Sequence, residues 1–150
     1  MKAFEYKRPV SVGEAVQALG AGTTEGAGSG AAKISAGGTD LLGTLREKIQ
    51  PEQPGTVVSL KGVPGMNGIE EQEDGLHIGA MARLSDIAAH PLVRRRDPAL
   101  AEAAHSVASP QLRHMATIGG NLCQEPRCWY YRYPGNRFHC LRKGGALCNA

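Results

Sequence analysis

Hydrophobic positions fall into four stretches of helical spacing and three of strand character. Val12, Ala15, Val16 and Leu19 recur three and four apart. They follow Ser11-Val12-Gly13-Glu14, the spacing of a capping box, and predict a short helix to about Leu19. Residues 20–30, rich in Gly, Ala, Thr and Ser, read as a mobile loop. Ala32 to Ala36 is a short strand candidate. After Gly37-Gly38-Thr39-Asp40, the residues Leu41, Leu42, Leu45 and Ile49 share one helical face. The unit is strand, glycine turn, helix. Gln50 to Gly55 is a proline-bearing loop and a lobe boundary, and Thr56 to Leu60 follow as a buried strand. Ile69 and Leu76-His77-Ile78 flank Asp74-Gly75, a hairpin signal. Ser85 is the expected cap of a helix that stops at Pro91. Asp97 and Pro98 open another, with Leu100, Ala103, Ala104 and Val107 on its apolar face. No repeat or heptad pattern occurs, and hairpins among scattered helices predict an α+β fold.

Composition makes the core thin. The 150 residues are 41% apolar with one Trp, four Tyr and two Phe, so small aliphatic side chains must fill the interior. The length allows one domain or two small lobes. No apolar run approaches the ~18 residues of a membrane span, and Met1 to Pro9 lacks the apolar stretch of a signal peptide. Four cysteines are too few for a disulfide-dense secreted scaffold. The net charge of +3 is uneven: residues 1–110 carry 11 Lys+Arg against 13 Asp+Glu, and residues 111–150 carry six against one, Glu125. Cys123, Cys128, Cys140 and Cys148 all lie in that basic segment.

Two glycine pairs stand out. Gly37-Gly38, between a strand and a helix, lets backbone approach a ligand closely, and N–H groups at a helix start attract phosphate. Asp40 would repel a phosphate, so it is expected to cap the helix. Gly119-Gly120, in Ala116-Thr117-Ile118-Gly119-Gly120-Asn121-Leu122, forms a second such loop, and the two could grip both ends of a diphosphate. The first matches neither the dinucleotide fingerprint nor the Walker loop, and a strand-to-helix turn built for packing is its plainer reading, as two unrelated loops is of the pair.

The cysteines are spaced C-x4-C-x11-C-x7-C. That spacing leaves zinc, an iron–sulfur cluster, and disulfides or free thiols open. Arg127, Arg132, Arg137, Arg142 and Lys143 would offset an anionic four-iron cluster. The same cations, interleaved with Trp129, Tyr130, Tyr131 and Tyr133, also fit a zinc-binding nucleic-acid module.

Together these segments resemble the FAD-binding subunit of molybdenum hydroxylases, the xanthine dehydrogenase family. The likeness begins at "FEYKRPVSVGEAVQAL" and is most specific at "ISAGGTDLL" and "ATIGGNLCQ". It implies a two-lobed FAD-binding domain of the PCMH, or vanillyl-alcohol oxidase-like, type. Residues 1–54 would form the N-terminal lobe with the first diphosphate loop. Residues 55–150 would begin the second lobe, with an iron–sulfur loop at 123–148, and the family's C-terminal lobe is absent. By resemblance, Ile34, Ser35, Ala36, Gly37, Gly38, Thr39, Asp40, Leu41 and Leu42 form the first FAD loop. Thr117, Ile118, Gly119, Gly120, Asn121 and Gln124 form the second, and a residue near Val107 or Ala108 also lies by the flavin. "CQEPRCWYYR" and "FHCLRKGGALC" are similar to the subset with a 4Fe–4S cluster, the bacterial aldehyde oxidoreductase and 4-hydroxybenzoyl-CoA reductase flavoproteins. Cys128, Cys140 and Cys148 match cluster positions there, with Cys123 the only fourth ligand within the chain.

The function so implied is electron transfer. A large subunit with the molybdenum cofactor would oxidise an aldehyde, aromatic or N-heterocycle. Electrons would pass through 2Fe–2S clusters of a small subunit to FAD here and on to an external acceptor, with no catalytic residue supplied by this chain. Either the chain is a fragment or a further chain would supply the missing C-terminal half. Nucleic acid and membrane are not expected partners. His114 and His139 lie nearest the cofactors, and His77, His90 and His105 read as structural. The expected compartment is cytoplasmic, or periplasmic if a signal-bearing partner exports the complex.

Overall fold

The computed structural model describes residues 2–20 and 32–150. From residue 21 on, the loop expected over 20–30 lies outside the described residues. The α+β expectation is met by a small parallel sheet, a hairpin and seven short helices among the described residues.

The elements in order are β1 (Glu5–Lys7), α1 (Val12–Gly20), β2 (Lys33–Ser35), α2 (Leu41–Arg46), β3 (Thr56–Ser59), β4 (Ile69–Gln72) and β5 (Gly75–Ile78). The helices α3 (Leu84–Ala89), α4 (Pro91–Arg96), α5 (Pro98–Ser106), α6 (Pro110–Arg113) and α7 (Ile118–Leu122) follow. β3 lies between β1 and β2 and pairs with both in parallel, with Tyr6 opposite Val57 and Ile34 opposite Val58. β1, three residues of mixed polarity, has no pattern of its own and exists by pairing with β3. β3 begins just past the boundary expected at residue 54 and completes a sheet whose other strands precede it. Val57 and Val58 are buried there, with Ala15 and Leu45 also buried.

The capping of α1 holds in modified form. The Ser11 hydroxyl accepts from the Glu14 N–H at 3.1 Å, but the Glu14 carboxylate accepts from the Val10 N–H at 2.9 Å, one residue before the capping serine. Of the expected apolar face, Ala15 is buried while Val12 and Val16 are exposed.

The second core lies under the hairpin. β4 and β5 pair antiparallel with Gln72 opposite Gly75, so the turn falls on Glu73-Asp74, one residue earlier than Asp74-Gly75. Ile69, Leu76 and Ile78 pack on Ala82, Leu84, Ile87, Ala88 and Val93, joined by Ala101 and Ala104 from α5. Asp97 caps α5 as its sequence predicts, accepting from the Leu100 N–H at 3.1 Å, with Pro98 in the first turn. The buried face of α5 is Ala101 and Ala104; Ala103 faces solvent. Ser85 is inside α3 rather than capping it, and Pro91, which ends α3, also begins α4. A proline both disfavours helix in the residue before it and suits the first position of a new helix.

Candidate functional site

β2 delivers the chain into the turn Ala36–Asp40, and Thr117–Asn121 lie against it. A Cβ on Gly37 would stand 2.1 Å from the Met115 carbonyl oxygen, and one on Gly120 would stand 3.7 Å from the Ala36 Cβ. The two glycine segments therefore meet. Gly38 takes φ +79, the left-handed region open to glycine. Gly119 packs on Ala80, where a Cβ would come within 2.9 Å. Gly37 and Gly119 thus serve close packing first. The second pair is not a loop: Gly119 and Gly120 form the first turn of α7, whose cap Thr117 accepts from the Gly120 N–H at 3.2 Å.

Beside this junction is a pocket of about 450 Å³, within the usual range for small-molecule sites. Ala36, Gly37 and Thr117 line it from the two predicted segments, together with His114, Lys61 and Arg83. Lys61 and Arg83 carry no sequence signal. Lys61 follows β3 in a 3-10 turn, and Arg83 is brought in by a bridge to Thr117. Backbone from two glycine segments with two cations, Lys61 and Arg83, suits an anionic dinucleotide such as FAD. Other predicted positions lie away from the lining. Ile34 and Leu42 are exposed and Ser35 is buried. Thr39 is exposed, Leu41, Ile118 and Asn121 are half-buried, and Gln124 bonds to Asn121 Oδ1 and to Arg127. Ala108, expected near the flavin, is exposed with φ +44, and its carbonyl accepts from Arg113.

Asp40 does not cap α2; its side chain makes no capping hydrogen bond. Its carboxylate instead accepts both ends of the Arg132 guanidinium, at 2.8 and 3.2 Å, and the Glu125 N–H at 3.2 Å, with Arg127 3.5 Å away. Burial pushes this carboxyl up, but the bonds from Arg132 and Glu125 and the charges of Arg132 and Arg127 outweigh it and hold it below its ordinary value of 3.8.

The cysteine segment is tied down by buried polar contacts. Lys143 is buried, donating to the carbonyls of Ile49 and Tyr131 at 3.1 and 3.0 Å. Tyr131 donates to the Glu125 carboxylate and accepts from Gln50 at 2.6 Å. Burial, and then the Glu125 bond, push its phenol up to about 12. The His139 ring bonds the Lys143 carbonyl at 2.8 Å. Tyr130 and Tyr133 meet Phe138 edge-on at 5.2 and 5.1 Å, and Arg137 lies over Tyr133. Most of the aromatic and cationic side chains that resembled a nucleic-acid surface are thus engaged within the protein, whereas Trp129, at 90% exposure, and Arg142 are exposed.

All four cysteines are free thiols. Cys128 packs against a buried cluster of Ile49, Tyr131 and Cys140, whereas Cys123 and Cys148 are exposed. Among the described residues no group of three or more His, Cys, Asp or Glu side chains lies together.

The family described as FAD binding domain in molybdopterin dehydrogenase matches residues 2–128, and the chain belongs to that family. It is 40% identical over 133 residues, 89% of its length, to the carbon monoxide dehydrogenase medium chain of Hydrogenophaga pseudoflava, of which it covers 41%. It is 41% identical over 151 residues, its whole length, to the aldehyde oxidoreductase FAD-binding subunit PaoB of Escherichia coli (strain K12), covering 44% of that protein. Among solved structures, the H. pseudoflava carbon monoxide dehydrogenase superposes with a TM-score of 0.70 at 40% identity, over 81% of this chain and 39% of that one. The chain spans about two fifths of the length of these relatives. Among the described residues no helix is long and apolar enough to cross a membrane.

Proposed function

We propose that this chain forms the N-terminal part of the FAD-binding electron-transfer subunit of a molybdenum-dependent oxidoreductase acting on an aldehyde, aromatic or N-heterocyclic substrate. The observation that carries the reading is the junction of the two glycine segments beside a cation-lined pocket, in a chain of this family. The backbone of Ala36–Asp40 and Thr117–Asn121 would hold the diphosphate, with Lys61 and Arg83 offsetting its charge and the His114 ring beside them. Ile34, Ser35, Leu41, Leu42 and Gln124 would support these segments. A bound flavin supplies an electron carrier; the residues here bind and orient it and need not move a proton on the organic substrate. The proposal retains two lobes, 1–54 and 55–150, with β3 completing the sheet of the first. It also includes a molybdenum-cofactor subunit and a 2Fe–2S subunit as partners, and a cytoplasmic location.

A 4Fe–4S cluster on Cys123, Cys128, Cys140 and Cys148 is the finer part of the proposal. Its support is in the sequence: four thiols in a basic segment, within the 41% match to PaoB that runs through that segment. It requires the four thiols to draw together.

Purification of the full-length protein under anaerobic conditions tests both parts. Stoichiometric FAD with about four irons and matching sulfide per chain is expected. Protein without flavin overturns the function; protein with flavin but with zinc or no metal overturns the cluster alone.

A further inference from the structure

The turn that bears the first glycine pair is gripped from two sides. Met115 and Gly120 press on Gly37 and Ala36 on one side. On the other, Arg132 and the Glu125 N–H hold Asp40 across 92 and 85 positions of sequence. Each nitrogen of the Arg132 guanidinium is engaged: Nε donates to the Pro126 carbonyl at 2.7 Å, Nη2 to the Glu125 carbonyl at 2.7 Å and to Asp40, and Nη1 to Asp40. Both side chains are largely buried, at 19% and 17% exposed. A fork of this kind fixes orientation as well as charge. Glu125, the other nearby carboxylate, is paired with Lys33 at 3.8 Å.

This explains a contradiction in the sequence. A carboxylate three residues past Gly37 opposes an anionic ligand at the same turn. Here its charge is matched by Arg132 and backed by Arg127 at 3.5 Å.

We infer that Arg132, although it lies in the cysteine segment, is a positioning residue of the flavin site: it orients the 36–40 turn and neutralises Asp40, whose bare carboxylate would repel the cofactor's diphosphate. The inference rests on the FAD reading above. It also makes the cysteine segment part of the flavin site's support.

The test compares FAD dissociation constants of the flavin-stripped full-length protein with those of R132Q, R132K and the double variant D40N/R132Q, at low and high salt, alongside thermal unfolding. Arg132→Gln is expected to weaken FAD binding about tenfold or more, and by less at high salt, where the exposed carboxylate is screened. Removing that carboxylate in D40N/R132Q is expected to recover most of the loss. Arg132→Lys keeps the charge and loses the fork, so its loss is expected to be smaller than that of R132Q. A purely structural brace would leave the double variant as weak as R132Q or weaker, and that result overturns the inference, as does R132Q binding like wild type. Where R132Q does not fold, R132K and the double variant decide: wild-type affinity in R132K, or a double variant weaker than R132K by tenfold, overturns it. Wild-type protein that takes up no FAD overturns the function itself, before any variant is compared.

Discussion

Gly37 and Met115 meet backbone to backbone, so closely that a Cβ on Gly37 would lie 2.1 Å from the Met115 carbonyl oxygen. The contact places the turn after β2 against the segment that leads into α7. That segment is held from its far side by the Leu84 N–H, which donates to the Ala116 carbonyl at 3.0 Å, and by the Arg83–Thr117 bridge. The junction beside the pocket therefore depends on a missing side chain in one element and on the core beneath α3 in another.

Gly37→Ala is expected to destabilise the protein by about 1–3 kcal/mol, since backbone rather than a flexible side chain must shift. Gly43→Ala is the control. It lies in α2 with no heavy atom within 4 Å of its would-be Cβ, and alanine there is expected to stabilise by ~0.5–1 kcal/mol. Denaturant unfolding of both variants checks the pair; G37A as stable as wild type would refute the contact.

The Asp40–Arg132 pair makes stability depend on acid in one direction. The folded carboxyl lies below its ordinary value of 3.8, so the pair's contribution is fully present above 3.8 and lost as pH falls through the lower folded value. The difference in melting temperature between wild type and D40N is expected to be constant above about pH 5 and to shrink below pH 4. An unchanged gap at pH 3 would show that the carboxylate's charge contributes nothing.

Tyr131 behaves oppositely. Its phenol is pushed up to about 12, so its contribution holds below the ordinary value of 10.0 and is lost as pH rises through 12. An ultraviolet difference titration between wild type and Y131F should show one phenol ionising near 12. Ionisation of that phenol at 10 would contradict its buried bond to Glu125.

Lys143→Met would leave the carbonyls of Ile49 and Tyr131 without their donor. A cost of about 1–3 kcal/mol is expected for each carbonyl that water does not reach. The loss should be read in unfolding free energy, with faster thiol labelling of buried Cys140 as the local signature. Unchanged labelling would mean that the lysine does not hold the segment down.

The features readable from the chain alone are those decided within a few residues. Asp97-Pro98 marks the start of α5, and Ser11 with Glu14 marks the start of α1, because a cap bonds to N–H groups three residues away. The hairpin follows from its turn residues, and the two glycine segments are recognisable because few residues tolerate such turns and contacts. Three-dimensional packing decided what those segments do. Asp40, which local rules assign to a helix cap, finds a stronger partner 92 positions away in Arg132. Lys61 and Arg83 enter the pocket without a motif, and β1 becomes a strand because β3 is there to pair with it. Arg127, Arg132 and Lys143 of the cysteine segment bond to carbonyls and a carboxylate of the protein, and Arg137 lies over the Tyr133 ring. Such partners depend on how the two cores bring distant elements together, and spacing along the chain does not encode that distance.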